Sequence, residues 1–319
     1  MSTESVAQRL TAVFEGCAVE DVVRLSGGAS RDTYGFDIVH EDGARDSLIL
    51  QSQRAGMTAR AGAGMATEAV LLQEAWKCGV PVAELVASGG AESPLGAPFL
   101  VTRRVEGETI ARRILRDDAY ARARPALAAQ IGAALAALHR IPVDAASDLE
   151  QRDPVQQYRD TLDTLGEPHP AFELGLRWLD QNRPPSERTT VVHGDFRLGN
   201  LIVGPEGLRA VLDWELAHLG DPLEDLGWLC VRAWRFGESK PVGGFGDYED
   251  LFESYAEASG IEIDPDVVRW WEIFGTLKWG VICIMQAATH LGGLSRSVEL
   301  ATIGRRVCEN EHDLLDLLP

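Results

Sequence analysis

HGDFRLGN occupies residues 193–200, and LDWE follows at 212–215. Together they set Asp195, Asn200 and Asp213 at relative offsets of 0, 5 and 18. That spacing suits phosphoryl transfer. One carboxylate orients a hydroxyl and takes its proton, while an amide and a second carboxylate offer hard oxygens to magnesium on a nucleotide. Residues 189–192 read as a short β-branched strand entering the motif, and 201–203 and 208–212 as two more. Gly204-Pro205-Glu206-Gly207 is the turn between them. The loop therefore runs into a hairpin, and Asp213 stands where its second strand ends. A hairpin is a short, stiff way to bring oxygens from three positions to one point.

At these residues the chain resembles the aminoglycoside phosphotransferase family, which shares its fold with choline kinases and protein kinases. Protein kinases space the same groups as H-R-D-x-x-x-x-N and then D-F-G. Here Gly194 replaces the arginine, and Asp213-Trp214-Glu215 replaces D-F-G. The run HLGDPLEDLGWL at 218–229 is similar to the phosphotransferase domains related to those fused to acyl-CoA dehydrogenases. The resemblance implies an α+β, protein kinase-like fold of two lobes. A small antiparallel-sheet lobe at 1–104 would bind the nucleotide, and a larger, mainly helical lobe at 105–319 would carry catalysis and substrate. It also implies ATP (or another nucleoside triphosphate) and Mg2+ as cofactors.

The rest of the chain fits that frame. Residues 5–14 read as an amphipathic helix, and 22–25, 33–39 and 47–51 as strands of an antiparallel sheet. Gly27, Gly28 and Ser30 lie in the turn between the first two strands. There kinase-like folds cover phosphates with backbone N–H groups, although the same glycines also suit a plain hairpin turn. Residues 67–77 read as a helix opened by Glu68. By resemblance Glu68 pairs with a strand cation; a glutamate in a first helical turn also suits the helix dipole. The strand residue expected to touch the phosphates is Gln51, where relatives carry Lys or Arg. Glutamine supplies no charge, so Arg54 or Arg31 substitutes, or nucleotide binding is weakened. The strand at 99–102 leads to a hinge at about 102–107, where backbone from Arg103 to Val105 would meet adenine.

Helices are further expected at 125–138 (closed by His139), in a pair within 150–188, and at 248–258, 265–274, 277–291 and 298–318. His193, Asp195 and Arg197 are the catalytic-loop candidates. Asp195 is the base, His193 supports the loop through hydrogen bonds, and Arg197 faces solvent or substrate. Asn200 and Asp213 are the metal ligands. Asp225 is read as an anchor for backbone near the loop, within a turn region at 219–227. Trp214 and Trp228 read as core. Trp234, Trp270, Trp271 and Trp279 either pack between helices or line an acceptor pocket.

With 30 basic against 49 acidic residues the net charge is −19, which disfavours nucleic acid as a partner. No apolar run is long enough to span a bilayer, and Glu4 sits where a signal peptide would turn apolar, so no membrane association is expected. Five cysteines, none in a C-x-x-C pair, point to reduced thiols and a cytoplasmic location. The expected partner is a small-molecule hydroxyl compound: an amine, an amino alcohol or a hydroxyacyl compound. The competing expectation, raised by Gln51, is a catalytically silent nucleotide-binding protein.

Overall fold

The computed structural model describes residues 2–25, 31–54, 63–185 and 188–319. Gly27, Gly28, Ser30 and Gly62 lie outside them. The chain opens with helix α1 (Thr3–Thr11), capped by the Ser2 side chain, which accepts from the Ser5 N–H at 3.3 Å. Strands β1 (Ala18–Leu25), β2 (Arg31–Val39) and β3 (Arg45–Gln53) follow, then α2 (Met65–Lys77), β4 (Leu85–Gly89) and β5 (Phe99–Arg103). The strands form one antiparallel sheet in the order β1-β2-β3-β5-β4. Tyr34, Phe36, Leu48 and Leu50 alternate onto one face and pack with Val6 and Leu10 of α1. The opposite face, bearing Thr33 and Gln51, is left for α2 and the site.

The second lobe is mainly helical. Its elements are α3 (Ala111–Arg116), α4 (Arg124–Leu138), α5 (Pro154–Leu165), α6 (Pro170–Gln181), β6 (Thr190–Val192), β7 (Leu201–Gly204), β8 (Gly207–Val211) and β9 (His218–Gly220). Then come α7 (Leu223–Cys230), α8 (Tyr248–Ser259), α9 (Pro265–Leu291), α10 (Val298–Gly304) and α11 (Val307–Leu317). Strand β6 pairs with β9, and β7 with β8, each antiparallel. This is the two-lobe, protein kinase-like arrangement expected from the motif.

Three expectations change. Residues 265–291 form one 27-residue helix rather than two. Gly275 and Gly280, which weaken a helix by propensity, are needed for packing: a Cβ would lie 2.7 Å from Val231 Cγ2 and 2.3 Å from Phe172 Cζ respectively. Residues 298–318 split in two near Gly304, where α10 closes to within 2.5 Å of Ala287 Cβ measured from an added Cβ. The stretch read as a turn at 219–227 becomes helix α7 from Leu223, which puts Asp225 and Gly227 on a buried helix. Among the described residues no helix is long and apolar enough to cross a membrane.

Candidate active site

Strand β6 delivers the chain into the loop at 193–200. Val191, Val192, Phe196, Leu198 and Leu201 are fully buried and pin the loop from below. Asp225 on α7 holds its first turn. Its Oδ2 accepts the His193 N–H at 2.8 Å and its Oδ1 the Gly194 N–H at 2.9 Å. His139 Nε2 lies 3.2 Å from Oδ2, and its Nδ1 is 2.9 Å from the Tyr255 hydroxyl. His139 thus closes α4 and also ties α4 and α8 to the loop. Gly194 has φ +79°, and a Cβ there would sit 2.4 Å from the Leu216 carbonyl oxygen. Only glycine fits this approach.

His193 is buried and turns inward. Its Nε2–H donates to the Leu212 carbonyl at 2.9 Å, and its Nδ1 accepts the Asp195 N–H at 3.3 Å. Burial lowers its pKa, which keeps the ring neutral. The ring ties the loop to the end of β8 and does not face the open side of the site. The Leu212 N–H bonds the Asn200 carbonyl at 2.8 Å, so Asp213 emerges beside Asn200. Asp213 has φ +63°, in the left-handed region that Asp enters more readily than most L-residues.

Three donors converge on Asp195. Asn200 Nδ2 reaches Oδ2 at 2.7 Å; Arg197 Nε reaches Oδ1 at 3.0 Å, and Trp228 Nε1 the same oxygen at 2.9 Å. Trp228, read from sequence as core, is 2% exposed and also touches the site's carboxylate. Arg197 lies over the Trp234 ring at 4.8 Å, and Trp234 meets Trp228 at 5.1 Å and Trp279 at 4.7 Å. The late tryptophans therefore divide. Trp234 and Trp279 flank the site, whereas Trp270 and Trp271 pack with Phe274 in the helical core.

Beneath the loop, Lys278 of α9 is buried. Its Nζ donates to the Gly194 carbonyl at 2.9 Å and to Glu224 Oε1 at 3.2 Å, and it sits 4.5 Å from the Trp228 ring centre. His218 Nε2 lies 3.1 Å from Glu224 Oε2. Burial alone would raise the Glu224 carboxyl, but His218 and Lys278 hold it down at about 2. A carboxyl depressed in the fold contributes stability that is present above its ordinary value of 4.5 and is lost as pH falls toward 2. Thermal melts between pH 5 and about 2 should therefore fall more steeply for the natural chain than for Glu224→Gln. Parallel curves would mean that the pair contributes nothing.

On the other lobe, Arg31 grips Glu68 of α2: Nη1 donates to Oε2 at 2.9 Å and Nη2 to Oε1, while Nη2 also lies 3.3 Å from Glu215 Oε2. Burial pushes Glu68 up to about 7, against the pull of Arg31, and burial with Glu215 pushes Asp213 up to about 6. Gln51 pairs across the sheet with Thr33 and Leu100 and is half-buried. The Arg103 N–H bonds the Glu84 carbonyl and the Arg104 N–H the Ser47 carbonyl, both at 2.9 Å. Trp228, Lys278 and Glu224 were not readable from motif spacing, whereas the Arg31–Glu68 pairing is one of the alternatives that the resemblance left open. The nearest signal was that Arg31 directly follows the Gly-rich turn.

Comparison with known proteins gives the chain a family and a fold. The model of the phosphotransferase enzyme family matches residues 21–271. The chain belongs to the phosphotransferase enzyme family. The chain is 28% identical to mouse acyl-CoA dehydrogenase family member 10 over 278 residues, covering 78% of the chain and 24% of that protein. It thus spans about a quarter of that relative's length. Among solved structures, a choline/ethanolamine kinase family protein of Mesorhizobium loti aligns over 98% of the chain and 95% of its own, with TM-score 0.66 and 21% identity. A spectinomycin phosphotransferase in complex with ADP and spectinomycin aligns over 100% and 99%, with TM-score 0.66 and 12% identity. At such identities these two likenesses concern the fold of the chain alone.

Proposed function

We propose that this protein moves the γ-phosphoryl group of ATP, with Mg2+, to a hydroxyl of a small molecule. The carrying observation is Asp195, whose two oxygens are fixed by Asn200, Arg197 and Trp228 beside the tryptophan-lined side of the site. Held this way, Asp195 orients the acceptor hydroxyl and takes its proton as the oxygen attacks phosphorus. Arg197, anchored on Trp234, neutralises charge next to it. His193 keeps loop and hairpin in register.

Asn200 and Asp213 suit magnesium. The Asn200 amide nitrogen is taken by Asp195, so its Oδ1 turns elsewhere, and Asp213 adds a carboxylate. Among the described residues no three His, Cys, Asp or Glu side chains could hold a metal by themselves. Magnesium commonly uses one or two protein ligands and completes its shell with water and phosphate oxygens. Asn200 and Asp213 would hold it, and when bound it would offset the charge of the phosphates. Residues 1–104 and 105–319 serve as the two lobes in this reading, with the hinge at about 102–107. The sheet already uses the Arg103 and Arg104 N–H groups, so an N–H for adenine within 103–105 would come from Val105.

Two observations bear on the acceptor. The relative's name supports a hydroxyacyl thioester, and the net charge of −19 supports an amine or amino alcohol. The test is magnesium-dependent phosphate transfer from ATP across hydroxyacyl-CoAs, choline-like amines and aminoglycosides. Transfer to one class is expected. Absence of any magnesium-dependent nucleotide binding would sink the proposal. Gln51 favours a second reading, a silent nucleotide binder. ATP that raises the melting temperature without transfer to any acceptor, equally in Asp195→Ala, would support that reading instead.

A further inference from the structure

The ATP reading needs a positive charge at the phosphates, and Gln51 of β3 has none to give. Two arginines are near enough to replace it, and the geometry separates them. Arg54 Nε bonds Asp32 Oδ1 at 3.1 Å, and Arg24 binds the same oxygen at 2.7 Å. Asp32 points to the sheet face opposite Arg31, because neighbours along a strand alternate. Arg31 pairs in register with Gln53, and Thr33 with Gln51. Directly opposed residues of an antiparallel pair share a face. Arg31 therefore shares the face of Gln51, one strand over and two residues along. Its guanidinium is buried there between Glu68 of α2 and Glu215, two residues past Asp213.

We propose that Arg31 is the phosphate-binding cation of this protein, so that the charge has crossed the strand pair from β3 to β2. This rests on the ATP reading above. The planar fork carries five N–H donors, and the contacts to Glu68 and Glu215 account for three. A fork of this kind suits phosphate oxygens better than a point charge does. Glu68 fixes its orientation, as a helix glutamate fixes a strand lysine in kinases. The contact to Glu215 also links the nucleotide lobe to the segment that carries Asp213.

The experiment measures the Kd and KM for MgATP in the natural 319-residue chain and in Arg31→Gln, Arg31→Lys, Gln51→Lys and the double variant Arg31→Gln/Gln51→Lys. Arg31→Gln should weaken MgATP on the order of 10- to 100-fold. Arg31→Lys should fall between it and the natural chain. The double variant should recover most of the loss, because a lysine at 51 restores charge on the same face. If Arg31→Gln unfolds because Glu68 is left unpaired, Arg31→Gln/Glu68→Gln replaces it, with the same expected loss of affinity. A purely structural Arg31 would lower the melting temperature, leave the MgATP Kd of the folded variants unchanged and gain nothing from lysine at 51; that result overturns the assignment alone. A natural chain that binds no MgATP overturns both this assignment and the kinase reading.

Discussion

Asp195→Asn should slow phosphoryl transfer by about 10²- to 10⁴-fold while MgATP still raises the melting temperature. The loss has two sources. The base disappears, and the amide cannot satisfy its surroundings. Arg197 and Trp228 both donate to Oδ1, and Asn200 donates to Oδ2. An amide has one acceptor oxygen. If that oxygen faces Arg197 and Trp228, its NH2 opposes the NH2 of Asn200, the proposed magnesium ligand. In the proposed reading the nucleotide is held mainly by the other lobe, so binding should persist. Steady-state kinetics beside thermal shifts in MgATP make the check. Turnover within tenfold of the natural chain would rule Asp195 out as the base.

The largest effect on stability is expected at Asp225. Its buried carboxylate accepts the His193 and Gly194 N–H groups and meets His139. Burial alone would raise its pKa, but the His139 hydrogen bond and the His193 backbone hold it below the usual carboxylate range. Asp225→Ala strands these donors in the interior at about 1–3 kcal/mol each, giving a loss of about 3–5 kcal/mol for the group. For a chain of this size the melting temperature should drop by about 10 °C. Asp225→Asn keeps the shape and one acceptor, so it should lose less stability yet still slow turnover by loosening the Asp195 loop. A melt of Asp225→Ala within about 2 °C of the natural chain would remove Asp225 as the loop's anchor.

The legible parts of this protein were the local ones. Thr190, Val191 and Val192 read as a strand because β-branched residues favour extended backbone. Gly204 to Gly207 read as a turn, and both flanking strands formed. Once strand, loop and hairpin follow in that order, Asn200 and Asp213 must emerge side by side, since the Leu212 N–H pairs with the Asn200 carbonyl. Helix joins were less legible. The single helix at 265–291 was read as two, and the break near Gly304 was invisible, because both depend on what packs alongside.

By itself, then, the sequence determined the loop and hairpin that present Asp195, Asn200 and Asp213, and through the family resemblance of that motif it pointed to the two-lobe plan. Only the tertiary structure decided which side chains serve them. Arg31 and Glu68 are 37 residues apart, Trp228 and Asp195 are 33, and Lys278 and Gly194 are 84. Hydrophobic period and motif spacing report on neighbours along the chain. Partners at these separations meet only after the sheet, α7 and α9 have packed, so the donors around the site's carboxylates are set by packing geometry and not by spacing.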